Sequence, residues 1–85
     1  MSDWYVYMVR CADGSLYTGI ARDVRRRVQE HNGAGPCGAR YTRGRRPVKL
    51  VYQETVGTRS EAARREHTIK RLTRAQKEAL ITAGP

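Results

Sequence analysis

Hydrophobic and polar positions in the first third of the chain follow the short blocks of a β-hairpin. Residues 4–10 are rich in aromatic and β-branched side chains, which is typical of a strand. The dipeptide Asp13-Gly14 follows and is a hairpin turn signal, so residues 15–20 are predicted to return as the second strand. Residues 48–54, introduced by Pro47, predict a third strand.

Between the second and third strands the pattern changes to a helical period. Val24 and Val28 stand at the i, i+4 spacing of a buried stripe, and Asp23 before them is a typical N-cap. These residues predict a helix that ends at His31. Residues 32–47 then form a long segment dense in Gly, Pro and Arg, which predicts a loop.

The last third of the chain is predicted to be helical. Segments 58–61 and 73–76 both match the capping-box pattern, in which Thr is followed three residues later by Glu or Gln. The first starts a helix that runs to about residue 71, and the second starts a final helix. The order β-β-α-β-α-α predicts one α+β domain over residues 1–85, with a three-stranded, mainly antiparallel sheet flanked by helices.

Charge narrows the class of partner. The 85 residues carry 17 Lys and Arg against 8 Asp and Glu, a net charge of +9. Such an excess attracts polyanions, of which nucleic acid is favoured over an anionic membrane because the basic residues spread over loops and several helices. DNA is the expected partner, with RNA as the alternative.

The chain is expected to be cytoplasmic. No apolar stretch approaches the ~20 residues that span a membrane, and the N-terminus does not read as a secretory signal. Cys11 and Cys37 are isolated, so reduced structural thiols are favoured over a disulfide. A zinc site built from these cysteines, His31 and His67 lacks a recognised ligand spacing.

Two polar residues of the first predicted helix face the core. At about 100° per residue, Arg27 and His31 fall on one arc with the valines, whereas Arg25 and Arg26 point towards solvent. Arg27 is therefore a candidate for phosphate binding, with a solvated basic helix as the alternative. His31 is a candidate for proton transfer or phosphate contact; otherwise it is a C-terminal residue that interacts favourably with the helix dipole.

On the helix that starts at residue 58, Glu66 projects between the directions of Ala63 and Ile69. A carboxylate on an apolar face is costly unless it is paired or bound to a metal. One interpretation is an i, i+4 ion pair with Lys70, which contributes little stability. The other is a site for Mg²⁺ or Mn²⁺, which suit a lone carboxylate completed by waters and phosphate oxygens. His67 is predicted to lie on the surface.

Tyr7 and Tyr17 share a site only if the hairpin loop has an odd number of residues. A two-residue turn would pair Tyr17 with Arg10 and place Tyr7 on the opposite face. A three-residue loop with Gly14 in a left-handed conformation would pair Tyr17 with Val9, on the same face as Tyr7. We predict the three-residue loop. Gly19 is expected to leave space for substrate beside the sheet, or to mark a bulge.

The segment 32–47 combines an aromatic residue with cations, which is typical of backbone contact plus base stacking on a nucleic acid. A disordered connector is the alternative. The residue triplet 40–42 has the composition of a single-strand-binding segment. The predicted nucleic-acid-binding residues are Arg40, Tyr41, Arg43, Arg45 and Arg46.

The residues quoted so far resemble the GIY-YIG nuclease family. Tyr5-Val6-Tyr7 followed by Tyr17-Thr18-Gly19 is similar to the family signature, although its first Gly reads Tyr5 and its middle positions read Val6 and Thr18. The resemblance continues through Arg27, His31 and Glu66 and covers roughly residues 4–80. It points to the small stand-alone bacterial branch of a module that homing endonucleases and the UvrC repair subunit also use.

The resemblance implies a metal-dependent endonuclease that acts on DNA in repair or recombination, with single-stranded or structured DNA as the expected substrate. It implies that Tyr17 activates water and Tyr7 positions it, with the reverse assignment or a share for His31 left open. Glu66 would bind the metal. The alternatives are a nucleic-acid-binding module of the same fold without turnover and a basic protein-interaction domain.

Overall fold

The first strand lies at the centre of the sheet, as expected for the most apolar segment of the chain. The computed structural model describes residues 3–33 and 38–84. In it, β1 (Trp4–Arg10) pairs with both β2 (Leu16–Ala21) and β3 (Lys49–Gly57) in antiparallel fashion, giving the strand order β2-β1-β3. The predicted three-stranded antiparallel sheet and the order of the predicted elements are confirmed.

Four helices flank this sheet. They are α1 (Val24–Asn32), α2 (Arg40–Arg43), α3 (Arg59–Lys70) and α4 (Arg74–Ala83). Helix α2 is a single turn inside the segment predicted to be a continuous loop, so that prediction was wrong at this point. No hydrophobic period predicts so short a helix, because one turn is shorter than the pattern that identifies a helical face.

The caps form as the sequence predicts. Asp23 accepts a hydrogen bond from the backbone of Arg26 at 3.1 Å and starts α1. Thr58 and Thr73 both make reciprocal capping boxes, with Glu61 and Gln76 respectively. These local interactions satisfy backbone N–H groups that have no partner within the helix.

The register of the hairpin is the one that a three-residue loop requires. Val9 lies opposite Tyr17, and the backbone N–H of Cys11 donates to the carbonyl of Ser15 at 2.8 Å to close the loop. Gly14 has φ of 85°, a left-handed conformation that glycine adopts without strain. The predicted loop is confirmed, and Tyr7 and Tyr17 therefore lie on the same face of the sheet.

The sheet has two covered faces, which we name after the helices that pack on them. The α1 face buries one apolar cluster together with Tyr17 and Val28, and the α3 face buries a second cluster under α3 and α4. The buried residues of the α1 face are Tyr7, Val9, Cys11, Ala21, Val24 and Val48. Those of the α3 face are Val6, Met8, Tyr52, Ala62 and Ile69.

The sequence also led to expectations about the cysteines and about membrane-spanning segments. Cys11 is buried in the core of the α1 face, and Cys37 lies outside the described residues. Within residues 3–33 and 38–84, none of the helices has the length and apolar character needed to cross a membrane.

Candidate active site

A buried histidine forms the centre of the site. His31, in the last turn of α1, is only 1% exposed. Its Nε2 lies 2.7 Å from the hydroxyl of Tyr7 on β1, and its Nδ1 lies 2.9 Å from the hydroxyl of Thr42 on α2. The network joins three elements that are far apart in sequence, and it satisfies polar groups that would be costly to bury alone.

The hydrogen bonds around Thr42 assign the proton of the imidazole. The Thr42 hydroxyl donates its single proton to the carbonyl of Ala39 at 2.9 Å. The 2.9 Å contact between the same hydroxyl and His31 then requires Nδ1 to be the donor. The Ala39 N–H also approaches Nδ1, at 3.3 Å, which would favour the opposite tautomer, but this distance lies beyond the usual range. Nε2 is therefore the acceptor of the Tyr7 proton.

Burial keeps both members of this pair neutral. Loss of solvation, helped by the positive charge of Arg27 and opposed by the negative charge of Glu30, lowers the pKa of His31 to about 4. Burial is also the main reason that the pKa of Tyr7 is raised, and the neighbouring Tyr17 and Glu66 act in the same direction while Arg27 opposes them. At neutral pH the site therefore holds a neutral phenol that donates to a neutral imidazole.

Gly19 makes room for Tyr7. The two residues are cross-strand partners, and a Cβ built on Gly19 would come within 2.6 Å of the Tyr7 hydroxyl. The phenol thus lies directly over the glycine backbone. The expectation that Gly19 leaves open space for substrate is wrong, because the Tyr7 side chain fills that space.

Tyr17 lies beside this pair and nearer to solvent. Its ring is half-buried, packs edge-on against the His31 ring at a centroid distance of 5.3 Å, and stacks on Tyr41 at 5.7 Å. Within the described part of the chain its hydroxyl makes no hydrogen bond. The two tyrosines thus differ: the Tyr7 hydroxyl is engaged by His31, whereas that of Tyr17 is available to a ligand.

Arg27 is the arginine of α1 that reaches the site, as the helical geometry predicts. Arg25 and Arg26 are exposed, whereas Arg27 is half-buried and lies close enough to Tyr7 to lower the pKa of the phenol. Its guanidinium also pairs with Glu30 at 2.9 Å. A fixed cation beside a phenol is suited to hold a phosphate.

Glu66 comes from the opposite side of the sheet, because α3 packs on the α3 face. Its side chain is 22% exposed and pairs with Lys70 at 3.4 Å, so the predicted alternative of an i, i+4 ion pair is present. The Lys70 ammonium lies 5.9 Å from the centre of the Tyr17 ring. The pair therefore borders the tyrosines, while His67 is exposed as predicted.

As a single carboxylate, Glu66 would suit a hydrated metal ion better than structural zinc. No group of three His, Cys, Asp or Glu side chains that could hold a metal occurs among residues 3–33 and 38–84. Structural zinc requires about four protein ligands and does not fit such a site. Mg²⁺ and Mn²⁺ keep several waters and bind through one or two carboxylates plus phosphate oxygens, which Glu66 and a bound phosphate would provide.

The basic segment 40–46, which contains α2, has an outer side exposed to solvent and an inner side buried against the site. Arg40, Arg43 and Arg46 are exposed, and Tyr41 is 40% exposed. Thr42, in contrast, is fully buried against His31, so the interpretation of residues 40–42 as one nucleic-acid-binding triplet was wrong for Thr42. Sequence reasoning missed this threonine as a site residue, since no periodic pattern marks the inward side of a single turn.

Arg45 joins the segment to the hairpin loop. Its Nε donates to the carboxylate of Asp13 at 3.0 Å, and its Nη1 donates to the backbone carbonyl of Tyr41 at 2.8 Å. Its guanidinium carbon lies 4.1 Å from the centre of the Tyr41 ring. Of the predicted binding residues, Tyr41 therefore contacts Tyr17 directly, and Arg45 lies against the Tyr41 ring.

Relatives of the chain are found among small proteins of similar length. A UPF0213 protein from Staphylococcus epidermidis is 56% identical over 84 residues, covering 99% of this chain and 100% of the relative. One from Halobacterium salinarum is 57% identical over 77 residues, covering 91% and 97% respectively.

Solved structures agree with the fold. The solution NMR structure of a UPF0213 protein from Bacillus halodurans is 44% identical, with a TM-score of 0.60 over 95% of this chain and 84% of that one. The solution NMR structure of a protein from E. faecalis is 38% identical, with a TM-score of 0.59 over 96% of this chain and 85% of that one. The family model described as the GIY-YIG catalytic domain matches residues 3–79. The chain therefore belongs to the GIY-YIG nuclease family.

Proposed function

We propose that this protein is a metal-dependent endonuclease that hydrolyses phosphodiester bonds in DNA, with single-stranded or structured DNA as its substrate. The observation that carries the proposal is that one set of polar side chains lies together around the hydrogen-bonded Tyr7–His31 pair. Its members are Tyr7, Tyr17, Arg27, His31 and Glu66. A protein that only bound nucleic acid would need the positive charge but not the buried phenol–imidazole pair.

The hydrogen bond between Tyr7 and His31 supports a route for the proton of the attacking water. Tyr7 is 1% exposed, so the bound substrate would have to bring the attacking water to its hydroxyl. As the water oxygen then attacks phosphorus and the P–O bond to the departing oxygen breaks, the water proton moves to the hydroxyl oxygen of Tyr7 while the phenolic proton moves to Nε2 of His31, 2.7 Å away. Family resemblance gives water activation to Tyr17. The neutral imidazole bonded to Tyr7 favours the reverse assignment, with Tyr17 contacting the phosphate or the water.

His31 is a weak base in the protein alone, because its pKa is lowered to about 4. An anionic phosphate bound beside Arg27 would raise that pKa, since it places negative charge next to the imidazolium. Thr42 contributes by accepting the Nδ1 proton, which keeps Nε2 turned towards Tyr7. The base is thereby strengthened by the arrival of substrate.

The charge of the phosphate needs cations on two sides. Arg27 supplies one of them from α1. A divalent metal ion held by Glu66 would supply the other and would stabilise the charge that develops on the departing oxygen. Lys70, which pairs with Glu66 in this structure, would then be released towards the phosphate backbone.

We assign binding of the nucleic-acid backbone to the exposed cations Arg40, Arg43 and Arg46 and to the half-buried Arg45, which lies against Tyr41. Contacts of this kind carry affinity without reading sequence. Binding is therefore expected to weaken steeply as salt increases.

The test is cleavage of end-labelled single-stranded, duplex and branched DNA, and of RNA, in Mg²⁺, Mn²⁺ or EDTA. Glu66→Ala, Tyr17→Phe and Tyr7→Phe are each expected to lower the metal-dependent rate by about 100-fold or more, since each removes a group that acts in the transition state. Matched controls are His67→Ala, an exposed neighbour on α3, and Tyr5→Phe on the same strand as Tyr7.

Two results would contradict the proposal. One is cleavage that persists in Glu66→Ala and Tyr17→Phe, which would point to a contaminating nuclease. The other is salt-sensitive binding without cleavage of any substrate, unchanged by Glu66→Ala. That second result would favour the alternative function, a binding module of the same fold.

A further inference from the structure

The buried imidazole is connected to the protein surface by a continuous set of flat side chains. His31 packs against Tyr17 at 5.3 Å, Tyr17 stacks on Tyr41 at 5.7 Å with an interplanar angle of 26°, and the Arg45 guanidinium lies 4.1 Å from the Tyr41 ring centre. We call these four residues the aromatic column. His31 is 1% exposed and Tyr41 40%, so the column leads from the reacting groups to solvent.

The outer end of the column is held in place before any ligand arrives. Arg45 is bonded to Asp13 at 3.0 Å and to the Tyr41 carbonyl at 2.8 Å, and its own carbonyl accepts from the backbone of Ala12 at 2.8 Å. On the inner side Thr42 bonds to His31. A surface that is already ordered binds a ligand without the entropic cost of immobilising its side chains.

The exposure of Tyr41 is unusual for this protein. Among the described residues, only Tyr41 and Leu50, at 40% and 37%, are large hydrophobic side chains classed as exposed. Tyr41 belongs to a basic segment, because residues 38–53 contain four arginines and a lysine but no acidic residue. A flat aromatic and guanidinium surface among cations matches a ligand that has a flat aromatic group next to phosphates.

We infer that Tyr41 and Arg45 form a nucleobase-stacking subsite. An unpaired base of the nucleotide next to the scissile phosphate would stack at the outer end of the column, on the guanidinium of Arg45 that lies over Tyr41. The inference rests on the proposed function, since Tyr41 contacts Tyr17, which is proposed to contact that phosphate or the water. In a duplex both faces of each base are covered by neighbouring base pairs. Only an unstacked base can add to the column, which gives selectivity for single strands or for unpaired junctions.

The first arm of the test measures binding without cleavage. A labelled single-stranded oligonucleotide and the matching duplex are titrated with protein in EDTA, and fluorescence anisotropy gives the two affinities. Tyr41→Ala is expected to weaken single-strand binding by about 5- to 150-fold, the range for loss of one base stack. Duplex affinity is expected to change much less.

Two further variants guard against a folding artefact. Tyr41→Leu keeps the apolar bulk but not the flat π surface, so it is expected to behave like Tyr41→Ala, whereas Tyr41→Phe is expected to bind like the parent. Leu50→Ala removes the other large exposed apolar side chain and is the matched control, with unchanged affinity expected.

The second arm uses the unaltered protein with oligonucleotides that carry one abasic nucleotide at successive positions. One position is expected to reproduce the loss of affinity, and Tyr41→Ala is expected to add nothing at that position. Equal losses of single-strand and duplex affinity in Tyr41→Ala, or an abasic series without a sensitive position, would overturn the subsite.

The two proposals fail in different ways. Cleavage by the parent protein decides the endonuclease function and needs no Tyr41 variant. The subsite is decided by binding in EDTA, which needs no cleavage. Cleavage with unchanged single-strand affinity in Tyr41→Ala would therefore remove the subsite alone and keep the nuclease.

Discussion

The two faces of the central sheet bury different kinds of side chain. The α3 face is filled by apolar groups such as Met8 and Ile69, both completely buried. The α1 face also has an apolar cluster, but at its edge it buries the hydrogen-bonded set Tyr7, His31 and Thr42. One face therefore provides packing, and the other holds a polar network at the edge of its packing.

The cost of burying polar groups explains how the two faces coexist. On the α1 face His31 and Thr42 each have partners at 2.9 Å or less, so their burial is compensated. On the α3 face the hydroxyl of Thr18 is buried and has no partner within the described residues. In this comparison, the face of the proposed active site has the better satisfied polar groups.

The largest effect, a loss of stability, is expected from a substitution on the α3 face. Ile69→Ala should lower the free energy of unfolding by about 2–5 kcal/mol, because it leaves a cavity among fully buried side chains. Urea denaturation followed by circular dichroism measures the change. The cleavage rate per folded molecule should stay close to that of the parent; a rate that falls with stability still intact would show that the two faces are coupled.

Gly19→Ala should disturb the α1 face with a smaller energetic effect. The added methyl group would lie 2.6 Å from the Tyr7 hydroxyl, so the phenol must move away from its bond to His31. A displacement of this size is expected to lower the cleavage rate by about 100-fold. Gly44→Ala is the control, since a Cβ there meets no atom within 4 Å; equal rates for both variants would refute the role given to Gly19.

Thr42→Val tests whether the buried network of Tyr7, His31 and Thr42 needs the hydroxyl of Thr42. The change removes the acceptor of the Nδ1 proton and is expected to cost about 1–3 kcal/mol of stability. Nitrogen chemical shifts of His31 should also move, because the imidazole is then free to place its proton on Nε2. Thr42→Ser keeps the hydroxyl and should preserve the tautomer; no difference in shifts between Val and Ser would contradict the assignment.

The smallest effect is an increase in stability, and it is also expected on the α3 face. Thr18→Val replaces a buried hydroxyl that lacks a partner in the described chain by a methyl group of similar shape. Stability is expected to rise by about 1 kcal/mol, since the desolvation cost of the hydroxyl disappears. A thermal melt measures the shift. A decrease in melting temperature would mean that this hydroxyl is satisfied in solution, for example by water.

Several candidate residues could be found from sequence because local geometry determines them. The helical period separates Arg27 from Arg25 and Arg26, and an odd-numbered hairpin loop places Tyr7 and Tyr17 on one face. Both are consequences of backbone periodicity over a few residues. The position of Glu66 on the inner side of α3 follows from the same rule.

Such rules do not predict contacts between segments that are far apart in sequence. Thr42 lies 11 residues from His31, and Tyr7 lies 24 residues from it, so neither hydrogen bond follows from a local period. The space over Gly19 was predicted as open because a single strand does not show which side chain will cross it. The stack of Tyr41 on Tyr17 likewise depends on how the segment around α2 folds back.

The sequence by itself determined all the elements except the single turn α2, their caps, the hairpin register, the strong positive charge and the candidate polar residues other than Thr42. The tertiary structure alone decided that α1 and α3 pack on opposite faces of the sheet and bring Arg27 and Glu66 near the same pair of tyrosines. The physical reason is the distance along the chain over which each kind of interaction acts. Helical and strand periods and caps act over a few neighbouring residues, whereas the site depends on burial and hydrogen bonding between segments that meet only after the chain has folded.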